Sequence, residues 1–272
     1  MSLDTKALLD KTLSDRRRAG WLRLIDRLIL VAVLLAIWEV VVDIGWVAPF
    51  MVSRPWLIAR DLYQMFSTGY IFPHLFATIY EAAVGLIIGT ILGMLTGFLA
   101  ALFPRLSDAI QPILVAFNSM PRVAVAPLFI VWFGFDYTSK IALAAMVVYF
   151  VVFFNTFSGM RSIDPVLQNS VRVMGASRFR VLQYVSVPHT LAWIFAAMNT
   201  SISLALVAAV IGEFVGATQG MGWIMVQASS TMNTTRLFSA MIILSVIGTV
   251  LFFATSRLEA AVLGWRPSRE VQ

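Results

Sequence analysis

The side chains in this sequence that could do chemistry are few and unevenly placed. Arg161, Arg172, Arg178 and Arg180 crowd the stretch from Arg161 to Pro188, between two long apolar runs. Arg122 stands between Pro121 and Pro127 inside an apolar segment, and Glu81 and Glu213 stand in others. There is no cysteine, which excludes disulfides, thiol nucleophiles and Cys-metal sites. His74 and His189 each lack a metal partner at ligand spacing, so no metal site is expected. No His/Asp/Glu cluster or Ser–Lys pair stands out, and no catalytic residue is expected. The chain also lacks a G-x-x-x-x-G-K-[ST] loop and should not bind ATP itself; "MGASR" is too short and has no lysine. What remains is electrostatic: intramembrane ionisable groups are candidates for function.

Composition says what surrounds them. The chain has 272 residues, 60% hydrophobic and 12% charged, with a mean hydropathy of +0.86. A soluble domain is nearer half apolar and a quarter charged, so this is the composition of an all-α polytopic membrane protein. The net charge of +6 could suggest nucleic acid. However, the bases are scattered among apolar runs without an aromatic-interleaved platform, so no nucleic acid is expected.

A spanning helix needs about 20 mostly apolar residues. Six candidates are expected, near residues 28–46, 80–103, 109–133, 140–160, 189–212 and 237–257. The third carries three prolines, Pro112, Pro121 and Pro127. The stretch 52–76 repeats its apolar residues at helical spacing and predicts an amphipathic interfacial helix. Residues 1–27 mix acids and bases and do not read as a secretory signal. With the N-terminus inside, fifteen Lys and Arg residues fall on the cytoplasmic side and only Arg54, Arg60, Lys140 and Arg236 outside. The positive-inside rule then predicts cytoplasmic termini. The domain reading is a cytoplasmic segment (1–27), a transmembrane domain (28–262) with a cytoplasmic loop (161–188), and a cytoplasmic tail (263–272).

Several residues within the spans have two readings. Gly85, Gly89, Gly93 and Gly97 recur every four residues along one helix face. They either let another helix pack closely within the subunit or form a moving or pore-lining contact. Arg122 either faces a water-filled path and attracts an anion, or pairs with Glu81 or with a carbonyl freed by the prolines. Asn199, Thr200, Ser201 and Ser203 either line a path or bond across helices. Glu213 precedes "FVGATQGMGW", where Gly216, Gly220 and Gly222 suggest a tight re-entrant turn. Such backbone survives at membrane depth only where protein or water covers it. In a packed loop there, Glu213 is a capping or paired carboxylate. Glu39, Asp43 and Trp46 mark the outer interface.

The basic loop is ordered. Asp164-Pro165 is a helix start, with Asp as N-cap and Pro at the first helical position. Val166, Leu167, Val171 and Met174 then fall near one face, and Gly175 reads as a C-cap. "ASRFRVLQYVSV" predicts a second short helix with Phe179 and Leu182 on one side, ended by Pro188. Two short helices with a bend form a docking shape. Asn169, Ser170 and Val171, three residues, Gly175, nine residues, then Val185-Ser186-Val187-Pro188 resemble the EAA loop of ABC importer permeases; Asn169-Ser170-Val171 stands where that family has Glu-Ala-Ala. "SMPRVAVAPLFIVWFG" (119–134), "GASRFRVLQYVSVP" (175–188) and "IGEFVGATQGMGWIM" (211–225) resemble permeases of the nitrate/sulfonate/taurine group. The likeness covers roughly residues 30–262.

The resemblance implies a type I ABC importer permease fold in the bacterial cytoplasmic membrane. It also implies a second permease copy, ABC ATPase subunits that bind the ATP and Mg, and an external solute-binding protein. The loop residues Asp164, Val166, Leu167, Asn169, Ser170, Val171, Met174, Gly175, Ala176, Ser177, Phe179 and Pro188 would then couple to the ATPase. The resemblance also places the Glu213 stretch at the external face, near the binding protein and a gate; Arg122, Asn199, Ser203 and Glu213 are the path candidates, for a small anion such as a sulfonate, taurine or nitrate. The alternative is an ion-gradient-driven secondary transporter, which requires an internal repeat and paired intramembrane acids; the acids look isolated in the sequence.

Overall fold

The structure, a computed structural model, describes residues 25–262. The expected cytoplasmic lead-in, apart from residues 25–27, and the tail (263–272) lie outside the described residues.

Twelve α-helices are described. α1 spans 25–43. It is followed by α2 (Pro49–Val52), α3 (Pro55–Ser67), α4 (Ile71–Leu102), α5 (Pro104–Asn118) and α6 (Arg122–Phe133). Then come α7 (Tyr137–Arg161), α8 (Pro165–Val173), α9 (Arg178–Val181), α10 (Val187–Gly216), α11 (Met221–Ser230) and α12 (Thr234–Val262). A π-helical segment, Leu182–Ser186, joins α9 to α10. In lipid every backbone N–H and C=O must be satisfied within the chain, and helices do this locally. Four described helices are long and apolar enough to cross a membrane: α4, α7, the run Arg178–Gly216, and α12.

The core is a three-helix packing of α4, α7 and α10, and small residues set its spacing. A Cβ on Gly89 would sit 2.5 Å from the Ala145 carbonyl oxygen and 2.8 Å from Val148 Cβ. A Cβ on Gly93 would meet the Tyr149 carbonyl at 2.8 Å, and one on Gly97 would meet Thr156 Cβ at 2.8 Å. The partner numbers on α7 rise with those on α4, from Ala144 opposite Gly85 to Thr156 opposite Gly97, so the two helices run parallel. α10 runs antiparallel to α7: Gly212 faces Lys140, and Gly159 faces Trp193 and Thr190. Ala82, Val148, Val152, Ala205, Leu206 and Ala209 fill the space where the three meet. Lipid offers no hydrophobic drive between helices, so close packing of small residues supplies the contact energy.

Several expected elements come out differently. The third span is not one piece. The segments Ser107–Asn118 and Val123–Phe133 meet at 101°, because Pro121 has no N–H to continue the ladder and keeps its neighbour out of the α region. The second span starts at Ile71 rather than near residue 80, and takes over the end of the expected interfacial helix. α3 stops at Ser67, where Gly69 turns the chain at φ +76°. Pro188 does not end a helix either. It lies in the first turn of α10, and the helix runs on from Arg178 to Gly216. The π turn just before it absorbs the register change around a residue that cannot donate. α1 carries Asp26, Arg27, Glu39 and Asp43 and is not among the four apolar spanning helices.

α3 is held by ions rather than by length. Arg236 at the start of α12 makes a bidentate pair with Asp61, at 2.8 and 3.0 Å. Arg54 reaches Asp43 at 3.1 Å and Glu39 at 3.5 Å, tying α3 to α1. Met65 and Ile71 then pack with Met221, Ile224, Ala240 and Ile243.

Gly89→Ala is expected to push α4 off α7 and cost about 1–3 kcal/mol, the range for overpacking a tight core. Gly248→Ala, where the nearest atom to an added Cβ is 3.8 Å away, is the control and should leave stability within about 0.5 kcal/mol. Thermal unfolding of the purified protein in detergent, followed by loss of monodispersity, compares the two.

Candidate functional site

Two groups of polar residues lie at opposite ends of the core. The first is the loop after α7. Asp164 caps α8, its Oδ1 accepting from the Val166 amide at 2.8 Å. The helix ends in a Schellman arrangement: the Ala176 amide donates to the Val171 carbonyl at 3.2 Å and the Gly175 amide to Arg172 at 2.9 Å. This closure needs Gly175 at φ +89°. Ser177 Oγ caps α9 by accepting from the Arg180 amide at 3.3 Å. α8 has no buried residue. Val166, Leu167, Met174 and Phe179 are 50–87% exposed, and Val171 and Ala176 are partly covered. Asn169 and Ser170 are exposed, with Ser170 Oγ turned back onto the Val166 carbonyl at 2.8 Å. An apolar face of this kind, rimmed by Arg172, Arg178 and Arg180, is a docking surface by composition.

The second group was only partly visible in the sequence. It lies where the N-terminal ends of α4 and α7 meet the C-terminal end of α10 and the start of α11. Glu213 is 1% exposed. Its Oε1 accepts from the Thr78 hydroxyl at 2.6 Å, and its Oε2 accepts from the Gly222 amide. Thr78 Oγ in turn accepts from the Met221 amide at 2.8 Å. His74 Nδ1 accepts from the Gly220 amide at 3.1 Å, and its ring stacks on Trp223 at 5.1 Å. Three consecutive amides at the start of α11 are thus taken by side chains of α4 and α10. A helix N-terminus carries positive partial charge and unpaired N–H donors, so a carboxylate suits it.

Glycines make the room. A Cβ on Gly222 would lie 2.8 Å from Glu213 Oε2, and one on Gly220 would run into the same carboxylate. Gly220 also has φ +122°, which side chains rarely adopt. Glu81, also 1% exposed, touches Glu213, and Lys140, 2% exposed, faces both acids. Lys140 Nζ donates to the carbonyls of Phe135 and Asp136 at the start of α7. The cation offsets carboxylates that would otherwise be costly to bury.

The expectation that the acids are isolated is overturned. Glu81 and Glu213 are far apart in the sequence, but antiparallel packing of α4 on α10 brings them together. Arg122 opens α6, and its side chain, with the expected pairing to Glu81 or a freed carbonyl, lies outside the described residues. Glu81 itself meets Glu213, with Lys140 nearby. On α10, Thr200, Ser203 and Val207 share an exposed stripe, Ser201 is buried and Asn199 is partly buried. The four glycines of α4 face α7 within the subunit. Sequence reasoning missed Lys140 as a buried partner because it had been assigned to the outside. Its apolar neighbours Ile141, Ala142 and Leu143 were the available signal.

Lys140→Met is expected to leave the Phe135 and Asp136 carbonyls without their donor and the two acids without a nearby cation, at a cost of about 1–3 kcal/mol. Lys140→Met with Glu81→Gln should recover part of that loss. A double-mutant cycle of unfolding midpoints measures the coupling, and strict additivity would remove Lys140 from the cluster.

Residues 89–264 match the model of the binding-protein-dependent transport system inner membrane component family. A permease of Bacillus subtilis (strain 168) named SsuC for aliphatic sulfonates transport is 34% identical over 255 residues, 94% of this chain and 91% of the relative. The riboflavin transport system permease protein RibX of Chloroflexus aurantiacus is 37% identical over 235 residues, 86% of this chain and 88% of its own. An inward-facing structure of the MetNI methionine ABC transporter superposes with a TM-score of 0.60 at 20% identity, over 79% of this chain and 99% of that one; it shares the type I importer permease fold. The match over most of the length, on a bundle with an uncovered helix–glycine–helix loop, places the chain in the binding-protein-dependent transport system inner membrane component family: it is a multi-pass permease subunit of an ABC importer, whose ATPase is a separate subunit.

Proposed function

We propose that two copies of this chain form the translocation path for a small organic anion, a sulfonate in the first instance. A solute-binding protein delivers it from outside, and ATP with Mg is bound and hydrolysed by ATPase subunits docked on the loop 161–188. Both termini then lie in the cytoplasm with that loop. The observation that carries this reading is the uncovered apolar face of Val166, Leu167, Met174 and Phe179, held between two long helices. α7 leads into the loop, and the run Arg178–Gly216 leads out of it without a break. A push on the loop is therefore delivered along rigid rods to the other end of the core.

Orientation follows from the basic residues. Arg161, Arg172, Arg178 and Arg180 share the loop end, while Arg54 and Arg236 of the sparse opposite set are paired with acids. The sulfonate reading rests on the likeness to the Bacillus subtilis protein along 94% of this chain. Arg122, at the break between α5 and α6, is the path candidate suited to an anion. Asn199 and Ser203 are path candidates on α10. The docking chemistry differs from that of a Glu-Ala-Ala loop, because Asn169, Ser170 and Val171 offer polar and apolar contacts but no acid.

The test is uptake by proteoliposomes holding the permease, its ATPase and its solute-binding protein. Taurine or an alkanesulfonate should enter only with ATP, and a hydrolysis-dead ATPase should abolish entry. Met174→Asp with Phe179→Asp should weaken ATPase binding at least about 30-fold, since loss of interface anchors costs about 2 kcal/mol or more. Uptake of riboflavin in place of any sulfonate would overturn the substrate, and uptake without a working ATPase would overturn the mechanism.

A further inference from the structure

The buried cluster holds one more acceptor than its present bonds use. Glu81 Oε2 is fully enclosed and has no hydrogen-bond partner. It belongs to α4, one turn beyond Thr78, and its carboxyl touches that of Glu213 on α10. The α11 amides of residues 220–222 are held today by Glu213 from α10 and by Thr78 and His74 from α4. α11 packs on α10 and is also held from the other side: Met221 and Ile224 pack with Met65, Ile71, Ala240 and Ile243 of α3, α4 and α12.

We propose that Glu213 and Glu81 are alternative acceptors for the start of α11, forming a two-position joint through which the coupling loop releases α10. Glu81 is a positioning residue in this step. The proposal rests on the reading of 161–188 as the loop an ATPase moves.

The argument is one of connection and of what can give way. α10 continues the loop helix without a break, so loop motion displaces its far end, which carries Glu213. The apolar packing of α11 against α3, α4 and α12 opposes its following α10. The polar bond across that boundary is directional: Glu213 accepts from the Gly222 amide, and the bond is lost once the atoms part by more than about 3.5 Å. Releasing that amide into a dry site with no acceptor would be costly. Glu81 removes that obstacle, because it moves with α4, where Thr78 and His74 keep α11. Lys140 faces both acids, so the departing carboxylate stays near its counter-charge. A packed core with two bonded arrangements and a poor one between them is a two-state element.

The experiment is amide-resolved hydrogen exchange on the whole complex, nucleotide-free and trapped with ATP and vanadate, alongside uptake. Glu81→Met should co-purify with the ATPase and protect residues 220–222 like wild type without nucleotide. In the trapped state those amides should exchange about tenfold faster than wild type, the factor for one lost buried bond, with uptake per ATP falling in parallel. Glu81→Gln keeps an acceptor oxygen and should restore both. Glu81→Asp, which draws the carboxyl back by one methylene, should behave like Glu81→Met and serves if that variant fails to assemble. Equal exchange of trapped wild type and trapped variant would overturn the joint. Faster exchange already present without nucleotide would assign Glu81 a packing role and overturn it too. Failure of the wild-type chain to bind an ATPase would instead sink the functional reading on which the joint depends.

Discussion

The Gly222 amide and the Glu213 carboxylate meet inside a bundle where no water is available to either. A helix that starts inside a packed bundle exposes its first amides there, and each must find an acceptor within the protein. Glu213, Thr78 and His74 satisfy those of residues 220–222. Much else at this end of the molecule follows. A buried carboxylate gains from a nearby cation, and Lys140, its Nζ held by the Phe135 and Asp136 carbonyls, stands near the two acids from the first turn of α7. The carboxylate also needs space against backbone, so positions 220 and 222 must be glycine. Gly212 is needed for the same reason one helix over, since a Cβ there would lie 2.9 Å from Lys140 Cγ.

The two ends of the core are built on opposite logic. At the loop end, polar capping orders short helices whose apolar side chains remain uncovered. At the far end, apolar packing covers a polar network that has almost no exposure. An uncovered apolar face gains by meeting a partner, and a covered polar network resists partners and fixes geometry. Between them lie helices with glycine and alanine at the contact, which leave little slack. Force applied at the loop can therefore arrive at the carboxyl cluster rather than being absorbed on the way.

How much of this was legible in the sequence depends on the range of each interaction. The loop was readable because its determinants are local: Asp164 caps the residue two beyond it, and Gly175 closes the turn that Val171 opens. The glycine ladder announced a close contact but not its partner, since nothing near Gly89 points to Ala145. The break at Pro121 was marked locally by Asn118, Ser119 and Arg122, but the apolar runs on either side add up to the length of one span and so read as a single helix. Pro188 misled in the other direction: a π turn lets the helix run through a residue that usually stops one. The carboxyl cluster was least legible. Its members come from α4, α7, α10 and α11, and only the antiparallel packing of α10 brings Glu213 to Glu81.

Paired acids within a membrane would ordinarily suit a carrier driven by an ion gradient, and charge is what argues against that use here. A cation site needs its carboxylates free to turn towards the ion. Glu213 is already bonded through both oxygens, and Lys140, held by the Phe135 and Asp136 carbonyls, stands close by. The same arrangement suits a mechanical role. A carboxyl group that holds a backbone amide, beside a second with an unused oxygen, can hand that amide over. The energy for that exchange has to come from outside the cluster, and the continuous helix from Arg178 to Gly216 is the element that reaches it from the loop.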